Sequence, residues 1–143
     1  MQATQISYSA KEYLEQETTA EFRSEYRDGE IMPMTGGTLN HNRIGLNIAS
    51  ALKYGIKGQP YETAINDLRL SIPTKNIYTY PDVMVISTPV IYAEGRRDTI
   101  TNSQIIIEVL SRSTESYDRG QKFEYYRRVN SFQEYILIDQ SCR

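Results

Sequence analysis

Two acidic residues stand where acids are unexpected. Glu108 lies inside QIIIEVL, the run from Gln104 to Leu110 that is otherwise nearly all apolar, and Asp82 opens a second apolar run, YPDVMVI. A carboxylate buried without compensation costs several kcal/mol, so an acid persists in such a strand when a cation, a metal or a proton balances it. If the two runs form neighbouring strands, both acids project from one sheet face. Two oxygen donors on one face suit a hard divalent cation. Such a cation can activate water and stabilise charge on a phosphoryl oxygen. Each acid also has a plainer reading. Glu108 could be a buried partner of Arg69 or another base, and Asp82 could cap a turn before its strand.

The rest of the composition narrows the chemistry. The chain has one histidine, His41, and one cysteine, Cys142. A Cys/His zinc site cannot be built from these within one chain. Any metal must therefore be held by oxygen, which favours Mg²⁺ or Mn²⁺. The net charge is -2 and the pI about 5.5, whereas a protein that coats nucleic acid non-specifically is usually basic. If DNA is the substrate, contact must come from a local basic face, a metal or a second subunit. No apolar run approaches the roughly 20 residues that span a bilayer, and MQATQISYSAKEY carries no secretory pattern. With its single cysteine, the chain is expected in a reducing cytoplasm.

These acids need elements to position them. Its 143 residues suit one domain with one core. Ser9 with Glu12 forms a capping box that should open a helix through about Glu17. Phe22 to Met34 reads as a hairpin turning at Asp28-Gly29. Leu39 to Lys57 is helical in pattern, closed by Gly58 and Pro60. Short strands are expected near Tyr61 to Ala64 and Leu68 to Ile72, with a turn from Pro73 to Asn76. Tyr80 to Ile86 reads as one strand with Pro81 at its start, and Pro89 to Asn102 as a polar loop. Gln104 to Leu110 should be a central strand covered on both faces. A helix capped by Ser111 or Ser113 should run to about Val129, and Tyr135 to Asp139 is the last strand. The expected class is α/β (α+β), a mixed sheet with helices packed on it.

The combination of motifs is more specific than any one of them. Pro81-Asp82 followed by Glu108-Val109-Leu110 resembles the PD-(D/E)XK nuclease superfamily. Glu25-Tyr26-Arg27-Asp28-Gly29-Glu30, His41-Asn42 and EVLSRSTESYDRGQKFEYYRRV…EYILID resemble its Uma-type restriction endonuclease family across almost the whole chain. The resemblance implies a restriction-endonuclease-like fold and a Mg²⁺-dependent (or Mn²⁺-dependent) endonuclease acting on DNA. Asp82 and Glu108 would hold the metal and Glu25 would support it. The superfamily lysine would fall at Leu110, which cannot replace it. In this family it is displaced onto the following helix, here Lys122, where it would stabilise developing charge. Such a lysine also has a helix salt bridge open to it, with Asp118. His41 would contact substrate or orient water, or simply cap a helix. Arg119, grouped with Lys122, Arg127 and Arg128, would contact phosphate or form a solvated face. Members of the family usually continue past EYILID, so 1–143 is expected to be a single domain lacking that segment. Its last strand would then expose an edge on which a homodimer could form. Two other functions stay open: an inert interaction module with the same fold, and a phosphodiester enzyme acting on RNA or small nucleotides.

Overall fold

The computed structural model describes residues 6–34, 36–111 and 120–140. The capping box forms as read. Ser9 accepts from the Glu12 N–H, and Glu12 reaches back to the Ser9 N–H, which opens helix α1 (Ala10–Thr19). Strands β1 (Ser24–Arg27) and β2 (Glu30–Pro33) pair in an antiparallel hairpin. Asp28 and Gly29 take φ of 43° and 99° at its turn, the two positive values that a type I′ turn demands. Helix α2 (Leu39–Gly55) starts at Thr38, whose hydroxyl accepts from the His41 N–H. Strand β3 (Tyr61–Ile65) and strand β4 (Arg69–Ile72) follow. A single 3₁₀ turn at Pro73–Lys75 leads into β5 (Ile77–Thr79). The remaining elements are β6 (Val83–Ser87), β7 (Thr99–Ile100), β8 (Ser103–Leu110), α3 (Gln121–Tyr126) and β9 (Glu134–Asp139).

The mixed α/β class holds, but its strands divide into two sheets, ordered β2-β1-β5-β4-β7 and β3-β6-β8-β9. The central strand is β8, antiparallel to β6 and parallel to β9. Side chains alternate across it. Ile107 packs with Val83 and with Ala49 of α2, while Ile106 joins Leu70, Ile72, Met84, Ile86 and Tyr126 in the main core. Both faces of β8 are therefore covered, which is why its sequence lacks the polar alternation of a half-exposed strand.

Two expectations are corrected. Tyr80 to Ile86 is not one strand. Strand β5 ends at Thr79, β6 begins at Val83, and Tyr80-Pro81-Asp82 carries the chain from one sheet to the other. Proline donates no ladder hydrogen bond and constrains the residue before it, so the break falls there. The loop from Pro89 to Asn102 also contains β7, whose Thr99 and Ile100 pair in parallel with Arg69 and Leu70. A strand of two residues carries no period for a sequence reading to detect.

Candidate functional site

Four separate elements and one sheet crossing bring five of the expected site residues to a single cavity of about 800 Å³. Glu25 comes from β1, Glu108 from β8, Lys122 from α3 and His41 from the first turn of α2; Asp82 stands at the crossing before β6. Val83 pairs with Ile107. Asp82 stands one residue before that pair and Glu108 one residue after it, and both line the cavity.

The contacts are polar and mostly buried. Lys122 Nζ lies 3.4 Å from Glu108 Oε1 and 3.6 Å from Glu25 Oε1, so one ammonium bridges two carboxylates drawn from different sheets. The Tyr126 hydroxyl donates to Glu108 Oε1 at 2.9 Å and lies 3.3 Å from Thr79 Oγ1. A phenol has a single proton to give, so with that proton on Glu108 the Thr79 hydroxyl is the donor to Tyr126. Burial, and then the negative charge of Glu108, push the Tyr126 phenol well above its ordinary range, which keeps it a donor. Asp82 is tied to the strand that carries Glu108: its Oδ2 accepts from the Val109 N–H at 2.7 Å and sits 3.3 Å from His41 Nε2.

A second buried network anchors the residue two places before Asp82. The Tyr80 hydroxyl accepts from Arg69 Nε at 3.0 Å and donates to Glu17 Oε2 at 2.7 Å. Arg69 also donates to Thr99 Oγ1 at 2.9 Å. Arg69 is thus committed to Tyr80, Thr99 and the acids Glu17 and Asp98, and the base at Glu108 is Lys122. Lys122 is buried, so it is no part of a solvated helix face; Arg127 and Arg128 are exposed, and Arg127 pairs with Glu124. Arg119 and Asp118, and with them the phosphate contact and the helix salt bridge expected there, lie outside the described residues, as does Ser113.

Three residues at the site carried no expectation. Tyr126 had a signal, since it falls four residues after Lys122 and so shares its helix face. Thr79 had none, because it arrives from the other sheet. Gln140, just past β9, donates to the Leu110 carbonyl at 2.7 Å and lines the cavity.

The donor set can be tested against the expected metal. Among the described residues, no three His, Cys, Asp or Glu side chains converge as a ready metal cage. Glu25 and Glu108 both pair with Lys122, and Asp82 meets the Val109 N–H and His41. Mg²⁺ is commonly held by one or two carboxylates and keeps several waters. Asp82 and Glu108 both line the cavity and are carboxylates of the kind such a metal takes.

Together the fold and this cavity place the chain in the restriction-endonuclease-like class of mixed α/β domains. The same fold occurs in a solved structure described as a putative nuclease belonging to DUF820 from Anabaena variabilis ATCC 29413. The TM-score is 0.75 at 20% identity, over 92% of this chain and 74% of that one. Residues 10–143 match the Uma2 family model, described as "Putative restriction endonuclease", and the chain belongs to that family. Two relatives come from Synechocystis sp. (strain ATCC 27184 / PCC 6803 / Kazusa). "Uncharacterized protein sll1609" is 41% identical over 140 residues, which span 98% of this chain and 79% of that protein. "Uncharacterized protein slr1290" is 36% identical over 135 residues, spanning 93% and 69%.

Proposed function

We propose that this chain is a Mg²⁺- or Mn²⁺-dependent nuclease that hydrolyses DNA phosphodiester bonds. The observation that carries this reading is the meeting of Asp82, Glu108 and Lys122 in one cavity. Asp82 and Glu108 would hold the metal, which when bound supplies Lewis acidity and lowers the pKa of water. The Val109 N–H fixes the Asp82 carboxylate, and the Tyr126 hydroxyl fixes Glu108. Lys122 holds a positive charge beside Glu108, where it can stabilise charge that builds on a phosphoryl oxygen. Glu25 acts through Lys122, holding its ammonium in place. His41 contacts Asp82 and lines the cavity, where it would meet substrate. Arg119 would contact phosphate.

The test is incubation of the purified protein with supercoiled plasmid, with and without Mg²⁺ or Mn²⁺, beside Asp82→Ala and Glu108→Ala. Metal-dependent cutting by the wild type alone is expected. Equal cutting by the variants, or none by the wild type, refutes the reading. One observation favours an inert module with this fold: Lys122 already pairs with both Glu25 and Glu108. Calorimetry with Mg²⁺ separates the two, since an inert module has no need of heat that depends on Asp82.

A further inference from the structure

Helix α1 buries little that is apolar. Tyr13 is its one buried residue, yet the side chain of Glu17, one turn further along the same face, is only 5% exposed. A carboxylate is costly to bury unless donors meet it, and three groups meet this one. The Tyr80 hydroxyl donates to Oε2 at 2.7 Å, the Ser24 N–H donates to Oε1 at 3.0 Å, and Arg69 lies 4.0 Å from Oε2. No step of the proposed hydrolysis uses Glu17.

The Ser24 and Tyr80 donors belong to the two stretches that carry site acids. Ser24 precedes Glu25 in β1, and Tyr80 lies two residues before Asp82 at the sheet crossing. Strand β5 pairs with β1 at Tyr26 and Arg27 and ends at Thr79. At Ser24 the side chains of α1 take over: Glu17 accepts from its N–H, and the Tyr13 hydroxyl donates to its carbonyl. Backbone groups away from water need such partners where a ladder stops. Arg69 closes the arrangement from β4. Its Nε donates to the Tyr80 hydroxyl at 3.0 Å, and its guanidinium lies over the rings of Tyr13 and Tyr80, 5.8 and 5.4 Å from their centroids. A phenol has one proton to give, and with Arg69 as its donor Tyr80 gives that proton to Glu17. Each oxygen of Glu17 thus holds a different segment of the site.

We propose that Glu17 is a positioning residue that joins the Asp82 crossing to the Glu25 strand, so that both acids keep their places at the cavity. The proposal rests on the nuclease reading for what Asp82 does, but not for how it is held. Glu17→Gln keeps the size of the side chain but leaves one oxygen where two are used, so only one of the two links survives. Tyr80→Phe keeps the ring and removes the hydroxyl that stands between Arg69 and Glu17.

The placement of Asp82 can be read without metal, because its Oδ2 accepts from the Val109 N–H at 2.7 Å. Amide hydrogen exchange followed by NMR in EDTA reports that bond, and the Ile106 amide in the middle of β8 reports general opening of the sheet. Glu17→Gln and Tyr80→Phe should each speed exchange at Val109 about tenfold or more and leave Ile106 within about twofold of wild type. The double variant should be no faster than the faster single one, since the two links act in series. By calorimetry both variants should bind Mg²⁺ about tenfold more weakly, the low end for residues that hold a metal ligand in place. On supercoiled plasmid, kcat should fall by a similar factor while KM for the plasmid stays within about twofold. Val109 exchange that matches wild type, or that rises together with Ile106, overturns the proposal, because Glu17 then only docks α1. Mg²⁺ bound equally well by wild type and variants overturns it too. A wild type that neither binds Mg²⁺ nor cuts plasmid sinks the nuclease reading, and exchange at Val109 then still decides whether Glu17 positions Asp82.

Discussion

Replacing Lys122 by methionine gives the most direct measure of how the site is held together. Methionine keeps the unbranched stem and removes only the charge. In the native protein Lys122 Nζ faces Glu108 at 3.4 Å and Glu25 at 3.6 Å, with all three side chains buried or nearly so. At an effective dielectric of about 20, each contact has a Coulomb energy of roughly 5 kcal/mol before desolvation is set against it. Breaking a buried ion pair by removing one partner costs about 3–5 kcal/mol, because the remaining charge loses its compensation. Lys122→Met should therefore lose about 3–5 kcal/mol in urea denaturation with EDTA, with an unchanged m-value. A divalent ion at Asp82 and Glu108 would restore part of the missing positive charge. Saturating Mg²⁺, worth about 2.7 kcal/mol at a hundred times the dissociation constant, should stabilise the variant more than the wild type. Adding Glu25→Gln removes one of the two stranded negative charges and should recover part of the loss, which separates charge from packing. A variant within about 1 kcal/mol of wild type in EDTA, or equal stabilisation of both proteins by Mg²⁺, would refute the reasoning.

Two further outcomes follow from other contacts. Tyr126→Phe removes the donor at 2.9 Å from Glu108 and should cost about 1.5–3 kcal/mol, as expected for a hydrogen bond to a charged group. A double-mutant cycle with Glu108→Gln should show that the two losses do not add, and additive losses would break the assignment. Asp98 concerns acid stability. Its hydrogen bond from Arg96 holds its carboxyl down at about 2, below the roughly 3.9 of an unfolded aspartate. The contribution is therefore present above pH ~4 and is lost as pH falls toward about 2. The stability gap between wild type and Asp98→Asn should narrow over that window, and a gap that stays constant there would contradict the assignment. Asp98 is more than half exposed, so solvent will keep the gap small.

Much of this protein was decided within short stretches of chain. The capping box at Ser9 and Glu12, the Asp28-Gly29 turn and the covered strand around Glu108 each depend on neighbours a few residues apart, and such signals survive without any tertiary context. The oddity of Glu108 was legible for the same reason, since a charge amid Ile105, Ile106, Ile107, Val109 and Leu110 contradicts its own surroundings. Tertiary structure decided what that charge meets. Glu25 reaches Lys122 only because β1 lies in one sheet, β8 in the other, and α3 brings its buried face to both. The split at Tyr80-Pro81-Asp82, the short strand β7 and the Thr79–Tyr126–Glu108 chain of hydroxyls likewise come from pairing between segments far apart in sequence. Ionic and hydrogen-bond energies depend on distances of a few ångströms and on exclusion of water. Neither exists until the two sheets have closed on a common core.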